Sequence, residues 1–411
     1  MTANRTYFRT DTGRQRGAGV FDDEVSVQAV ETVRRMSSEL ADAYERGWRP
    51  ADLVHLSRRS KEPHEASLAA TAILHDAQCT QAWDRAPESW RQELRAIAEQ
   101  YPASALVAER AGGSADEFRA LTAGLLFSDP YHSTYQITDL TTSWITLATW
   151  SMLTPPPSMW SGPRAEGACT ESPLDSKIGN KIRGLLAKAE ATEFEEEAET
   201  FTAKAQELMT RYAIDTALLS ARGGHESANA STTVHSRRVH LENPYVKEKV
   251  HLLTAIGEPN RVRTVWFDKF AIATVVGTPV DLQQVDLLFT SLLVQATRAM
   301  QFADAAGRKG SRTTSFRKGF LAGFAGRIGQ RLRDADTRAT VDAADAAQID
   351  VDDLLPILAT KSEAVDAEFD RLFPRTKKAR GRSVDAEGWH AGQAAANNAA
   401  LTPGDRATLA R

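Results

Sequence analysis

The chain has 411 residues, 42% of them hydrophobic and 25% charged, with a formal net charge of −4. That length exceeds one ordinary hydrophobic core, so two or three domains are expected. The slightly acidic balance excludes a polycation that coats nucleic acid over its whole surface, and any such role must fall to a local basic face.

The two cysteines, Cys79 and Cys169, lie far apart and form no Cys-x-x-Cys pair. This argues against a disulfide framework or a structural zinc site and fits a reducing cytoplasm. No stretch approaches the roughly 18 consecutive apolar residues of a membrane span. The polar start "MTANRTYFRTDTGRQRGAG" has no secretory character. A cytoplasmic protein without membrane association is expected.

Residues 1–20 mix Arg, Gly, Thr and Asp without periodicity and read as a disordered arm. From residue 21 to 153 the pattern is helical throughout. Val25, Val33, Met36, Leu40 and Tyr44 form one stripe. Gly47 stands where a left-handed C-cap is favoured, and Pro50 where a new helix begins, with Leu53, Val54 and Leu56 on its buried side. Further helices are expected at about 63–83, 87–99, 114–127 and 138–153. Nothing in this half alternates with the period of two that strands need. An all-helical N-terminal domain, 21–153, follows.

Three consecutive prolines and many small residues mark 154–176 as a linker. After it, Ile178, Ile182, Leu185, Leu186 and Ala189 recur at helical spacing. Thr192 and Glu195 spell a capping box for a second helix, which presents Ala198, Phe201, Ala205, Leu208, Met209 and Tyr212 on one side. Residues 177–220 therefore read as an αα-hairpin. A polar gap, "ARGGHESANASTTVHSRR", leads to an α+β domain spanning 237–401. In it a short helix near 244–256 precedes "RVRTVWF" (261–267) and "FAIATVVG" (270–277), β-rich runs joined by Asp268 and Lys269 as a hairpin. A long helix from Asp281 to about Phe302 follows, then a helix on "TSFRKGFLAGFAGRIGQRLRD". An acidic Ala-rich lead-in (340–353) introduces a helix near 354–372, and a last helix covers "DAEGWHAGQAAANNAAL". The fold class is mostly α and multidomain, with a small sheet in the C-terminal region.

The run Lys181-Ile182-x-x-Leu185-Leu186-Ala187-x-Ala189, then Glu197-Ala198, then Ala203-Lys204-Ala205-Gln206-x-Leu208-Met209 resembles the helical module called domain of unknown function 2786 of bacterial and phage proteins. The resemblance covers about 35 residues. It implies that an α+β region follows, similar to 237–335 here. It brings no catalytic residue with it.

Sites of chemistry are sparse. The histidines never form His-Glu-x-x-His; "HEASL" at 64–68 ends in leucine where a second ligand belongs. Asp350, Asp352 and Asp353 lack the glycine and glutamate of a calcium loop and read as an acidic lead-in to a helix. No metal or cofactor is expected. Gly319, Gly323, Gly326 and Gly329 match neither a dinucleotide fingerprint nor a phosphate loop. Their spacing points to close helix packing, with Phe316, Phe320, Phe324 and Ile328 on a neighbouring core stripe. No Gly-x-Ser-x-Gly elbow appears, and neither cysteine is given a local histidine partner in this reading.

One asymmetry remains. From Arg308 to Arg333 the charged residues are all basic, with no Asp or Glu between them. "RTKKARGR" adds Arg375, Lys377, Lys378, Arg380 and Arg382. The site expected from the sequence comprises Arg308, Lys309, Arg312, Arg317, Lys318, Arg327, Arg331, Lys377, Lys378 and Arg380, engaging nucleic-acid backbone without reading bases. The tryptophans are scattered away from these runs, so base stacking is not indicated. The function expected is non-catalytic binding of nucleic acid. The alternatives are a scaffold that docks a protein partner through the hairpin, and a hydrolase with no mechanism assigned.

Overall fold

The computed structural model describes residues 25–62, 64–129, 132–161, 176–191, 204, 208–209, 211, 234–305, 312–347, 351–377 and 384–399. Among these residues the protein is mostly helical, with one small antiparallel sheet. It divides into two compact units, Met1–Gly167 and Ala168–Arg411. The expected N-terminal arm, most of the hairpin's second helix and most of the polar gap lie outside the described residues.

The first unit is all-helical: α1 (Val27–Glu45), α2 (Pro50–Arg58), α3 (Glu65–Cys79), α4 (Ala82–Arg85), α5 (Glu88–Gln100), α6 (Pro102–Gly112), α7 (Glu117–Ser128) and α8 (Thr134–Ile145). Its centre is α3. Leu68, Ala69, Ala70, Ile73, Leu74 and Ala77 are all buried, as expected for a helix apolar on nearly every side. Around it, α1 buries Val33, Met36 and Leu40, its N-terminus capped by Ser26, whose hydroxyl accepts from the Ala29 amide. Gly47 ends that helix with φ +93°, a conformation that suits glycine. A β-carbon there would also stand 2.6 Å from the Trp150 carbonyl oxygen.

Several features of this unit differ from what the sequence predicts. The helix expected over 63–83 breaks into α3 and α4, with Gln81 between them at φ +54°. Helix α6 was not anticipated, because its buried residues are small: Ser104, Ala108 and Ala111. They let α6 lie close on α3, where the Ser104 hydroxyl donates to the Ser67 carbonyl at 3.0 Å. The helix expected over 138–153 instead ends at Ile145. The chain beyond it spends its polar groups on the α1–α2 corner. The Trp150 amide donates to the Arg46 carbonyl at 2.8 Å, and the Trp48 indole N–H donates to the Ala148 carbonyl at 2.9 Å. The first part of the proline-rich segment belongs to this unit too. Pro157–Met159 form a short 3-10 turn, Ser158 bonds Glu45, and Trp160 packs edge-on to Trp90 at 5.2 Å.

The second unit contains α9 (Ser176–Ala191), β1 (His235–His240), α10 (Val246–Gly257), β2 (Arg263–Phe267), β3 (Ile272–Gly277), α11 (Pro279–Ala305), α12 (Arg312–Ala347), α13 (Val351–Leu372) and α14 (Ala386–Asn398). The sheet order is β1-β3-β2, with both neighbours antiparallel to β3. Strand β3 is buried along its whole length. Ala273 and Val275 join the main core, while Val276 packs with Val365, Phe369 and Phe373 in a second cluster under α13. Burial on both faces explains why "IATVVG" is a continuous apolar run and not an alternating one.

The expected hairpin is present with a longer turn. Phe267 pairs with Ile272, so residues 268–271 form the loop, and Ala271 takes φ +53°. Asp268-Lys269 supplies neither glycine nor asparagine for a two-residue turn, and the chain uses a four-residue one. Strand β1 was hidden in the polar gap, since His235-Ser-Arg-Arg-Val-His offers a single large apolar residue. The stretch 340–347, read as an acidic lead-in, simply continues α12, as its alanines favour.

The main core of this unit gathers Leu252 and Ile256 of α10, Leu288 and Leu292 of α11, and Phe316, Phe320, Phe324 and Ile328 of α12. Each such side chain contributes about 1.5–3 kcal/mol of burial free energy. From the hairpin module, Ile182 and Leu186 of α9 and the helical residue Met209 enter the same core. The Gln284 side-chain amide donates to the Met209 carbonyl at 2.9 Å. These described apolar positions of the module serve their own unit.

Candidate functional site

Helix α12 and helix α14 run parallel and meet through glycine. A β-carbon on Gly319 would stand 2.6 Å from the Asp385 carbonyl oxygen. One on Gly323 would collide with the Trp389 carbonyl, one on Gly388 with the Phe316 carbonyl, and one on Gly392 with the Phe320 carbonyl. Two Gly-x-x-x-Gly pairs, 319/323 and 388/392, thus interlock backbone to backbone, which is the close packing their spacing predicts. No phosphate loop is formed there.

This contact fixes the basic residues. Arg331 is buried, and its guanidinium donates to the carbonyls of Ala396, Asn397 and Ala399, closing the C-terminal end of α14. Arg327 donates to the side-chain oxygens of Asn397 and Gln330. Arg333 reaches Glu258 at 3.4 Å. Positive charge at a helix C-terminus is favourable, so Arg327 and Arg331 organise α14, while Arg333 pairs with Glu258 instead. Arg317 is half-buried, Lys318 exposed and Lys377 exposed. Arg312 opens α12. Arg308, Lys309, Lys378 and Arg380 lie outside the described residues. Phe316, Phe320 and Phe324 are buried in the core and so offer no surface to a base.

Other cations of the unit are matched by acids. Arg237 pairs with Asp286 at 2.9 Å, Arg263 with Asp366 at 2.6 Å and Arg261 with Asp336 at 3.7 Å. The Asp281 carboxylate acts on Asp336 as well, and Asp281 and Arg261 both act on Lys361. Burial raises the Asp336 carboxyl above its ordinary range despite Arg261, and burial lowers the Lys361 ammonium.

The first unit holds two clusters of titratable side chains. In one, Asp129 accepts from His64 Nδ1 at 3.1 Å and lies 3.6 Å from His132 Nε2. The Ser67 hydroxyl sits 3.1 Å from His132 Nε2, and His132 Nδ1 faces the Leu125 carbonyl at 3.1 Å. Ser67 also donates to the His64 carbonyl at 2.8 Å. These bonds tie the start of α3 to the α7–α8 connection.

In the other cluster, His75 and Cys79 stand one turn apart on α3, and Glu117 reaches them from the first residue of α7. The Cys79 thiol lies 3.6 Å from His75 Nε2 and donates to Glu117 Oε2 at 3.2 Å. Cys79, expected to lack a local histidine, has one in His75, and the i, i+4 spacing His75-x-x-x-Cys79 is the signal for it. Glu117, distant in sequence, left none. Burial and the Glu117 carboxylate push the Cys79 thiol up to about 12. A thiolate nucleophile needs the opposite shift. The carboxylate also touches the sulfur and not the imidazole, so the trio is not a Cys-His-acid catalytic set. Cys169 lies outside the described residues.

Residues 177–216 match a family model described as protein of unknown function (DUF2786), and the chain carries that helical module. No curated protein and no solved structure matches the chain. Among the described residues, no helix is long and apolar enough to cross a membrane.

Proposed function

We propose that the second unit binds the phosphate backbone of nucleic acid, without reading bases, through basic residues gathered where α12 begins and α14 is entered. One observation carries the reading. The chain passes into α14 at Asp385, whose backbone lies against Gly319, the residue next to exposed Lys318. The basic run Arg375–Arg382 immediately precedes that point, and the run Arg308–Arg333 begins just before α12 and continues into it. The described starts of α12 and α14 thus lie side by side, at the sequence positions that the two basic runs lead into.

Backbone contact needs charge and donors but no stacking platform, and the nearby phenylalanines are committed to the core. Arg327 and Arg331 support this surface by fixing α14; the contacting residues are Arg308, Lys309, Arg312, Arg317, Lys318, Lys377, Lys378 and Arg380. Sequence-independent binding of this kind has dissociation constants on the order of 10⁻⁴ to 10⁻⁶ M at physiological salt.

The test is a triple charge reversal that draws one residue from each part: Lys309→Glu, Lys318→Glu and Lys377→Glu. Fluorescence anisotropy with labelled single- and double-stranded DNA and RNA should show at least a tenfold loss of affinity, equal across sequences. Undiminished binding by the folded triple variant contradicts the proposal.

A further inference from the structure

We propose that His75, Cys79 and Glu117 form a binding site for one zinc-class divalent ion, with a fourth position open to solvent. The three ligand atoms lie within 4.8 Å of one another, and the two separations to the sulfur match coordination. A tetrahedral zinc with Zn–S near 2.3 Å and Zn–N or Zn–O near 2.0 Å has ligand–ligand edges of about 3.3–3.5 Å. The structure places Sγ 3.6 Å from His75 Nε2 and 3.2 Å from Glu117 Oε2.

The elements that carry the ligands are held independently of any ion. Positions i and i+4 on α3 put the imidazole and the thiol on one helix face. The imidazole is buried, and its ring packs edge-on against Phe118 at 5.9 Å. Glu117 is fixed at the start of α7 by the Asp116 cap, whose carboxylate accepts from the Arg119 amide at 3.2 Å. Cys79 is exposed, which gives the ion a route in and leaves room for water.

The donor set selects the ion. One sulfur, one imidazole nitrogen and one carboxylate oxygen suit zinc and cobalt, whereas magnesium and calcium prefer oxygen alone. On binding, the proton now shared between Cys79 and Glu117 leaves to solvent and the thiolate takes the metal in its place. Three protein ligands with a fourth open place is the arrangement of zinc sites that hold water or substrate, in contrast with closed structural sites.

The experiment is a cobalt titration of the full chain after chelator treatment. A thiolate-to-cobalt charge-transfer band saturating at one equivalent is expected, together with visible absorption of tetrahedral intensity. Cys79→Ser abolishes the band, and Cys169→Ser leaves it intact. Glu117→Gln keeps the thiol and weakens cobalt binding roughly tenfold or more. Circular dichroism confirms that each variant is folded; should Cys79→Ser not fold, the Glu117→Gln result decides. The absence of a charge-transfer band at excess cobalt overturns the proposal. So does a band that survives Cys79→Ser, or unchanged affinity in Glu117→Gln.

Discussion

Gly323 of α12 lies directly against the backbone of Trp389 on α14: a β-carbon at position 323 would stand 2.9 Å from the Trp389 carbonyl carbon. The neighbour is backbone within a helix and cannot swing aside, so the two helices must part to admit even a methyl group. Gly323→Ala is therefore expected to cost about 1–3 kcal/mol through overpacking. Gly184 of α9 is a control in the opposite sense. A β-carbon there meets nothing within 4 Å, and Gly184→Ala should stabilise by about 1 kcal/mol through helix propensity. Urea denaturation of both variants checks the pair of signs.

The Arg331 guanidinium closes the carbonyl end of α14 from a buried position. Arg331→Ala strands several carbonyls and should destabilise the second unit by about 2–3 kcal/mol. Arg331→Lys should recover little, because an ammonium lacks the planar fork that reaches several acceptors at once. Denaturant midpoints for the two variants measure this.

How much of this was legible beforehand divides along physical lines. The glycine spacing from 319 and the phenylalanine spacing from 316 are properties of one helix, and both were readable from the chain alone. The partner pair, Gly388 and Gly392, needed the tertiary contact. Helix α6 escaped because Ser104, Ala108 and Ala111 bury surface without the large side chains that make a stripe visible. Strand β1 escaped because it is an edge strand of polar residues, held by register with β3 and not by its own pattern. Arg331 shows the limit most clearly. In sequence it is one more cation in a basic run, and only the arrival of α14 turns it into a helix cap. The His75–Cys79 spacing was open to reading, while Glu117, 38 positions further on, was not.

Asp336 predicts a pH dependence. Its folded-state proton affinity is raised, chiefly by burial. The folded protein thus holds this proton more tightly than the unfolded chain does. The contribution to stability is present below the unfolded value of about 4 and is lost as pH rises through the folded one. Asp336→Asn removes that loss. The stability of the variant relative to the parent should therefore rise between acidic and neutral pH, as thermal melts across that window would record. A constant difference would show that Asp336 does not titrate between the states.

Phe369 of α13 covers the sheet face opposite the main core, beside Val276, Val365 and Phe373. The Arg263 guanidinium also lies over its ring, 4.8 Å from the centroid. Phe369→Ala should cost about 3–5 kcal/mol and expose β3 on that side. Faster amide exchange along Ile272–Gly277 is the sign to look for.

The central claim, that the second unit meets phosphate backbones, is tested most directly by the salt dependence of nucleic-acid affinity. Binding constants for single- and double-stranded DNA and RNA are measured from low to moderate salt and plotted as log K against log salt concentration. Neutralising three to five phosphates predicts a linear fall with a slope of about −2.7 to −4.5 on duplex DNA, alike for unrelated sequences. A flat plot, or no binding at the lowest salt, contradicts the account.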